Sequence, residues 1–393
     1  MRRTRIHSIG VAVAAILGVA AAQAPQAPTF QVDPFWPKPL PNHWLFGSIT
    51  GVAVDARNHV WVVHRGAVSL NARTEMSAAT KPPTAEACCV PAPAVLHFDP
   101  AGTLVSHWGG PGEGYEWPQS PGGITIDAKG NVWIAAAGPG DPQPGRGRSA
   151  PATAPPPPDA HVLKFAPDGR FLLQIGKAGK TEGSNGTTGL HRPTAVDVDA
   201  GAGEVYVADG IVNRRIVVFD AETGAYKRHW GAYGAKPDDA ATGPSDPSGP
   251  PSKQFNLPGC VKLSKDGLVY VCDRRNNRIQ VFRKDGTFVK EAFVAKATRG
   301  EGSAWSAAFS SDPQQRFLYV ADGSNQKVWI LDRQSLAPVS SVGAGGRWPG
   351  HFYGVSSVAV DSAGNLYTGE TYEGKRLQKF NFTGLGRPAT EQR

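Results

Sequence analysis

Residues 265–286 read Lys265-Asp266-Gly267-Leu268-Val269-Tyr270-Val271-Cys272-Asp273, then Arg274-Arg275-Asn276-Asn277-Arg278-Ile279-Gln280-Val281-Phe282, then Arg283-Lys284-Asp285-Gly286. Lys-Asp-Gly supplies residues that tolerate positive φ and so marks a tight turn. The stretch after it alternates around an aromatic residue, as a strand does when both its faces are covered differently. A short polar connection follows, then a second apolar strand, and Asp285-Gly286 turns the chain again.

Working outward, the pattern of an aliphatic residue followed three positions later by Phe or Leu recurs. It pairs Val95 with Phe98, Val162 with Phe165, Ile216 with Phe219, Ile279 with Phe282, Val328 with Leu331 and Leu377 with Phe380. The last two intervals, Phe282 to Leu331 and Leu331 to Phe380, are both 49 residues, and the earlier ones are longer. Upstream of each lies an aromatic strand marker: Trp61, Trp133, Tyr206, Tyr270, Tyr319 and Tyr367. Further upstream are alternating pairs such as Val52/Val54, Ile124/Ile126, Val196/Val198 and Val358/Val360, and downstream an outer strand ends in Gly, as at 104–109, 171–176 and 226–231. Four short antiparallel strands repeated six times predict an all-β six-bladed β-propeller, closed into a ring so that no hydrophobic face is left at an end. The sixth unit stops after three strands, so Phe30-Gln31-Val32 is expected to supply its missing outer strand. Insertions at 67–93, 139–160 and 232–256, rich in Ala, Pro, Gly and Asp, read as loops rather than a second domain.

The N-terminus reads as a secretory leader. Arg2, Arg3 and Arg5 precede a small and apolar stretch at 9–22, with Ala20-Ala21-Ala22 as a cleavage site. The expected organisation is a signal peptide at 1–22 and one propeller at 23–393, secreted or periplasmic, with no membrane contact after cleavage. The net charge of +8 falls to +5 without the leader arginines. That balance, together with export, points away from nucleic acid. Four cysteines, Cys88, Cys89, Cys260 and Cys272, allow three pairings. Cys260 and Cys272 fall on neighbouring strands, which would leave Cys88 and Cys89 for each other.

Two columns of equivalent positions are candidates for chemistry. Three residues after the aromatic markers stand His64, Ala136, Asp209, Asp273, Asp322 and Glu370. These either organise the connecting loops, with Asn213, Asn276, Asn325 and the following cations, or form a ring that binds a cation or polar ligand. At the start of the innermost strands stand Thr50, Gly122, Thr194, Gly259, Trp305 and Ser356. No imidazole occurs at that level. His64, His191 and His351 flank strand ends, but their spacing fits no metal motif. Gly179-Lys180-Thr181 lacks the first glycine of a phosphate loop, since Gln174 stands there, and no Gly-x-Ser-x-Gly elbow occurs.

Val205-Tyr206-Val207-Ala208-Asp209-Gly210, Asn213-Arg214-Arg215-Ile216 and Gly267-Leu268-Val269-Tyr270-Val271-Cys272-Asp273 resemble NHL repeats. Together with His64-Arg65-Gly66, they make the chain similar to bacterial relatives of peptidyl-α-hydroxyglycine α-amidating lyase over nearly its whole mature length. The resemblance implies a zinc held by three histidines, a tyrosine base and an arginine, and cleavage of a hydroxyglycine-extended peptide to an amide and glyoxylate. Arg65 matches the arginine. The histidine positions match Gly122, Gly259 and Ser356, and the tyrosine position matches Ile211, so the metal ligands and base are replaced. Zinc is therefore not expected, while Asp and backbone oxygens would serve a structural calcium of the kind the resemblance implies. The leading expectation is a binding propeller for a small molecule, peptide or protein in the central channel or on the top face. Arg65 would hold a carboxylate and Trp305 would offer a stacking surface, beside Thr50, Thr194, Ser356, His64, Asp209, Asp273, Asp322 and Glu370. The alternative is a lyase or hydrolase with a rearranged site.

Overall fold

The computed structural model describes residues 26–387 except 72, 76, 79, 81, 139–156 and 241–245. The expected leader at 1–22 and most of the 139–160 insertion lie outside the described residues. Among the described residues there is no α-helix, only three short 3₁₀ turns, and no helix long and apolar enough to cross a membrane.

Six four-stranded antiparallel sheets account for the fold. The first blade runs through Ile49–Val54, Val60–His64, Val95–Phe98 and Leu104–Trp108, and the second through Pro121–Ile126, Val132–Ala136, His161–Phe165 and Phe171–Gly176. The third comprises Ala195–Asp199, Glu204–Asp209, Arg215–Asp220 and Tyr226–Trp230, and the fourth Pro258–Leu263, Leu268–Asp273, Arg278–Arg283 and Phe288–Phe293. The fifth comprises Ser306–Phe309, Phe317–Asp322, Lys327–Asp332 and Pro338–Val342. The sixth takes Val355–Val360, Leu366–Glu370 and Leu377–Gly386 from the C-terminal end of the chain, and its outer strand is Ala27–Asp33. Each first strand packs against the first strands of both neighbouring blades, and Val355–Val360 meets Ile49–Val54 to close the ring. The N-terminal latch is thus as the three-strand count of the last repeat required.

The core is divided among the blade interfaces. Six clusters of buried side chains each span two adjacent blades, and period-2 alternation sends successive residues of one strand to opposite interfaces. Val60 and Val62 join Tyr367 and Leu377 between the sixth and first blades, whereas Trp61 and Val63 join Ile124 and Ile134 between the first and second. Burying a Val or Leu side chain stabilises by roughly 1.5–3 kcal/mol, so a ring that covers both faces of every blade gains from each strand twice. A one-residue slip would exchange the two faces of a strand and disrupt both interfaces.

The turn between first and second strands is built alike in three blades. Asp127 accepts the backbone N–H groups of Lys129 and Asn131 on one oxygen, and the Asn131 amide and Trp133 indole on the other. Asp361 does the same with Asn365 and the Tyr367 hydroxyl, and Asp55 with Arg57, His59 and Trp61. Cys260 pairs with Cys272 across the first two strands of the fourth blade, and Cys88 with Cys89 inside the 67–93 insertion. That insertion is tied down further by pairing of Val90–Pro91 with Trp44–Leu45 and by the Glu75–Lys375 ion pair.

Candidate ligand-binding site at the channel mouth

The first strands of all blades begin at the same end of the channel. Thr50, Gly122, Thr194, Gly259, Trp305 and Ser356 consequently meet around one cavity of about 380 Å³. Hydrogen bonds between blades hold this ring together. The Thr194 hydroxyl donates to the Pro258 carbonyl at 2.6 Å, the Ser356 hydroxyl to the Ile49 carbonyl at 2.9 Å, and the Gly123 N–H to the Thr194 carbonyl at 2.7 Å. Thr194 and Ser356 therefore brace the wall through their donors and retain acceptor capacity toward the cavity.

Above this ring the wall is cationic. Arg65, Arg192, Arg274 and Arg275 line the cavity, with Glu301 as the sole acid among the described lining residues. Arg274 reaches Glu301 at 2.8 Å and Arg275 reaches it at 2.9 Å, while the Arg192 Nε donates to the Ala137 carbonyl at 2.9 Å. Burial lowers the pKa of Arg274, and the charge of Glu301 and the Tyr372 hydroxyl oppose that shift. The Arg274 guanidinium lies 3.4 Å from the centre of the Trp305 ring. The Trp305 indole donates to the Gly302 carbonyl at 2.6 Å, and Tyr372 approaches its edge at 6.0 Å. Trp305 is 6% exposed, so its principal stacking partner is Arg274 and its role is to fix that guanidinium in the wall. The free stacking face expected of Trp305 is not what the packing provides.

Other expected site residues lie elsewhere. His64 is completely buried: its Nδ1 accepts the N–H groups of Gly47 and Gly66, and its other ring nitrogen meets the Pro93 carbonyl at 2.8 Å. Desolvation drives its pKa down to about 4. Asp209, Asp273, Asp322 and Glu370 are likewise fully buried and do not line the cavity. Asp209 holds Arg215 at 2.9 Å and Asn213 at 2.7 Å, and Asp273 holds Arg278 at 2.7 Å and Asn276 at 2.8 Å. Asp322 accepts Asn325 and the Trp329 indole, with burial raising its pKa, and Glu370 holds Arg376 and Gln378. The cations then bind loop carbonyls, as Arg215 does with Ser184 and Gly189. Of the two roles considered for this column, its contacts are those of loop organisation. His191 and His351 are not among the residues lining the cavity.

Arg274 and Arg275, which are not among the residues expected at the site, do carry a signal in the sequence: they directly follow Asp273, as the expected Arg65 directly follows His64. The buried column fixes the end of each second strand, and in every blade but the fifth the residues just beyond it line the channel mouth. Ala137, Gly138, Ile211, Thr371 and Tyr372 occupy the same steps in other blades and line the same cavity.

A zinc centre does not fit this wall. Gly122 and Gly259 have no donor side chain, Ser356 uses its hydroxyl on backbone carbonyls, and no histidine lines the cavity among the described residues. A Cβ on Gly122 would stand 2.8 Å from the Thr194 carbonyl oxygen and one on Gly259 2.9 Å from that of Trp305. The neighbouring backbones have closed over both positions, so a side chain there requires the blades to shift.

An NHL repeat is matched at residues 255–282. The chain is 26% identical to the peptidylglycine alpha-amidating monooxygenase of Rattus norvegicus over 257 residues, covering 63% of this chain and 22% of that protein. It spans less than a quarter of the length of these amidating relatives. It is also 25% identical to NHL repeat-containing protein 3 of Mus musculus over 323 residues, covering 80% of this chain and 69% of that one. Among solved structures, a streptogramin B lyase superposes with a TM-score of 0.50 at 9% identity, covering 90% of this chain and 98% of that one, a likeness of fold. The chain is thus a six-bladed β-propeller that carries an NHL repeat at 255–282 and is similar over part of its length to amidating monooxygenases.

Proposed function

We propose that this propeller is an exported receptor for a carboxylate-bearing small molecule or peptide end, bound at the channel mouth, and that it has lost the zinc chemistry implied by its resemblance to amidating lyases. The observation that carries this reading is the wall itself: four arginines, a single acid, and no imidazole among the described lining residues. Arg274 and Arg275 pair with Glu301 on one side, and Arg65 and Arg192 line the cavity from the first and third blades. Guanidinium groups recognise planar carboxylates through paired N–H donors, and a recessed site screens that interaction less than open water does. The export belongs to the same proposal and rests on the basic and apolar pattern of residues 1–22.

Isothermal titration of the leader-free protein with short peptides and sugar acids tests it. Binding is expected to weaken with salt, and Arg65→Ala or Arg192→Ala to lower affinity about tenfold to hundredfold, the cost of one charge-assisted hydrogen bond. Undiminished binding by both variants would overturn the assignment. Stoichiometric zinc, lost together with glyoxylate release from a hydroxyglycine peptide, would establish the alternative, an enzyme with a rearranged site.

A further inference from the structure

We propose that His59, His97 and Asp55 form a site for a divalent transition metal at the opposite end of the first blade, away from the channel mouth. His59 Nδ1 lies 2.8 Å from His97 Nε2, Asp55 Oδ2 lies 4.0 Å from the same nitrogen, and all three donor atoms fall within 4.8 Å of one another.

The first blade departs from the other repeats at two places. At the turn between the first two strands, the position four residues after the aspartate is Asn131 in the second blade and Asn365 in the sixth. Each of those amides donates back to its own turn aspartate. In the first blade the residue is His59, and its ring turns instead to His97. The third-strand residue opposite the aromatic marker is Lys164 in the second blade and Lys379 in the sixth, each ammonium lying over its ring. In the first blade it is His97, stacked on Trp61 at 3.8 Å and 11°. Two independent departures, 38 residues apart in sequence, place two imidazoles edge to edge beside a carboxylate.

The surroundings suit metal ligands. His97 Nδ1 lies 3.0 Å from the Ser106 hydroxyl, which fixes the ring and directs Nε2 toward His59. Asp55 Oδ1 is held by the backbone N–H groups of Arg57 and His59. Its Oδ2 accepts Trp61 at 3.1 Å and Arg57 at 3.3 Å, and the Arg57 side chain, 65% exposed, is free to swing aside. Nitrogen and oxygen donors about 2.1 Å from a tetrahedral ion stand roughly 3.3 Å apart, so the 2.8 Å edge must open and the 4.0 Å edge close by about half an ångström each. Rotation of the partly exposed His59 opens the first edge, and a small turn of the Asp55 carboxylate, once Arg57 releases it, closes the second. Two imidazoles and one carboxylate select zinc, nickel or copper over calcium or magnesium, and leave one position for water.

The test titrates the metal-free protein with zinc chloride and with nickel chloride by calorimetry. The expected result is one equivalent bound through these residues. His59→Asn and His97→Lys each restore a residue that another blade carries at that place, so both should fold; they are expected to lower the affinity at least tenfold and to leave the melting temperature in chelator within a few degrees. Absence of binding by the parent protein, or binding by both variants with unchanged stoichiometry and affinity, would overturn the proposal.

Discussion

At the scale of single residues, His64 shows how a position can be noticed for the wrong reason. Its place beside Arg65 suggested a ligand contact, yet it is an internal brace whose ring nitrogen holds two backbone N–H groups. Its pKa is about 4 in the fold against about 6.5 when unfolded. The stabilisation from the neutral ring is therefore complete above pH 6.5 and is lost as pH falls toward 4, where the unfolded chain takes up the proton first. Denaturant melts between pH 7 and 4 are expected to show about 3 kcal/mol of acid sensitivity that His64→Gln lacks, the variant starting less stable at neutral pH. An equal pH slope in both proteins would mean that His64 titrates normally. At the buried ion pairs, Asp209→Ala strands Arg215 and is expected to cost about 3–5 kcal/mol, read as a lowered denaturation midpoint. Gly122→His should destabilise by about 1–3 kcal/mol without conferring zinc binding, since the Thr194 carbonyl stands where its Cβ must go.

Strands and turns follow the sequence most closely, and the reasons are physical. Alternation of apolar residues fixes which face of a strand points to which neighbour, so Thr50, Gly122, Thr194, Gly259, Trp305 and Ser356 were identifiable as one level before any of them was seen to share a cavity. The roles of those side chains were less legible, because a hydroxyl that braces a neighbouring blade and one that greets a ligand have the same sequence. In the sequence Arg274 and Arg275 are part of a polar connection; only the direction in which the second strand ends brings them over the channel. The His59–His97 contact depends on strand register, Trp61 opposite His97, which no local pattern specifies. The N-terminal strand was legible from a missing element. Phe30 on Ala27–Asp33 meets Tyr319 of the fifth blade at 5.8 Å and Phe382 of the sixth at 5.9 Å. Phe30→Ala is expected to lower stability by about 1–3 kcal/mol, and removal of residues 27–33 to expose the edge of Leu377–Gly386 and promote aggregation, visible by light scattering.

For the whole molecule, the ring explains why one end of the channel gathers function. Every blade contributes the start of its first strand to the same mouth, and every blade but the fifth also contributes residues just past its second. Divergence among repeats is therefore concentrated there without cost to the six interfaces. In this chain the divergence placed arginines at the mouth and glycines where the resemblance implies metal ligands. The mouth is proposed to bind a carboxylate without a metal. Titration of the protein in excess chelator, with a peptide ending in a free carboxylate and with the same peptide ending in an amide, is the decisive measurement. The carboxylate form is expected to bind at least tenfold more tightly and Arg65→Ala to remove the difference; equal affinity for the two forms, or binding that vanishes with the chelator, would mean that the mouth is not a metal-free carboxylate site.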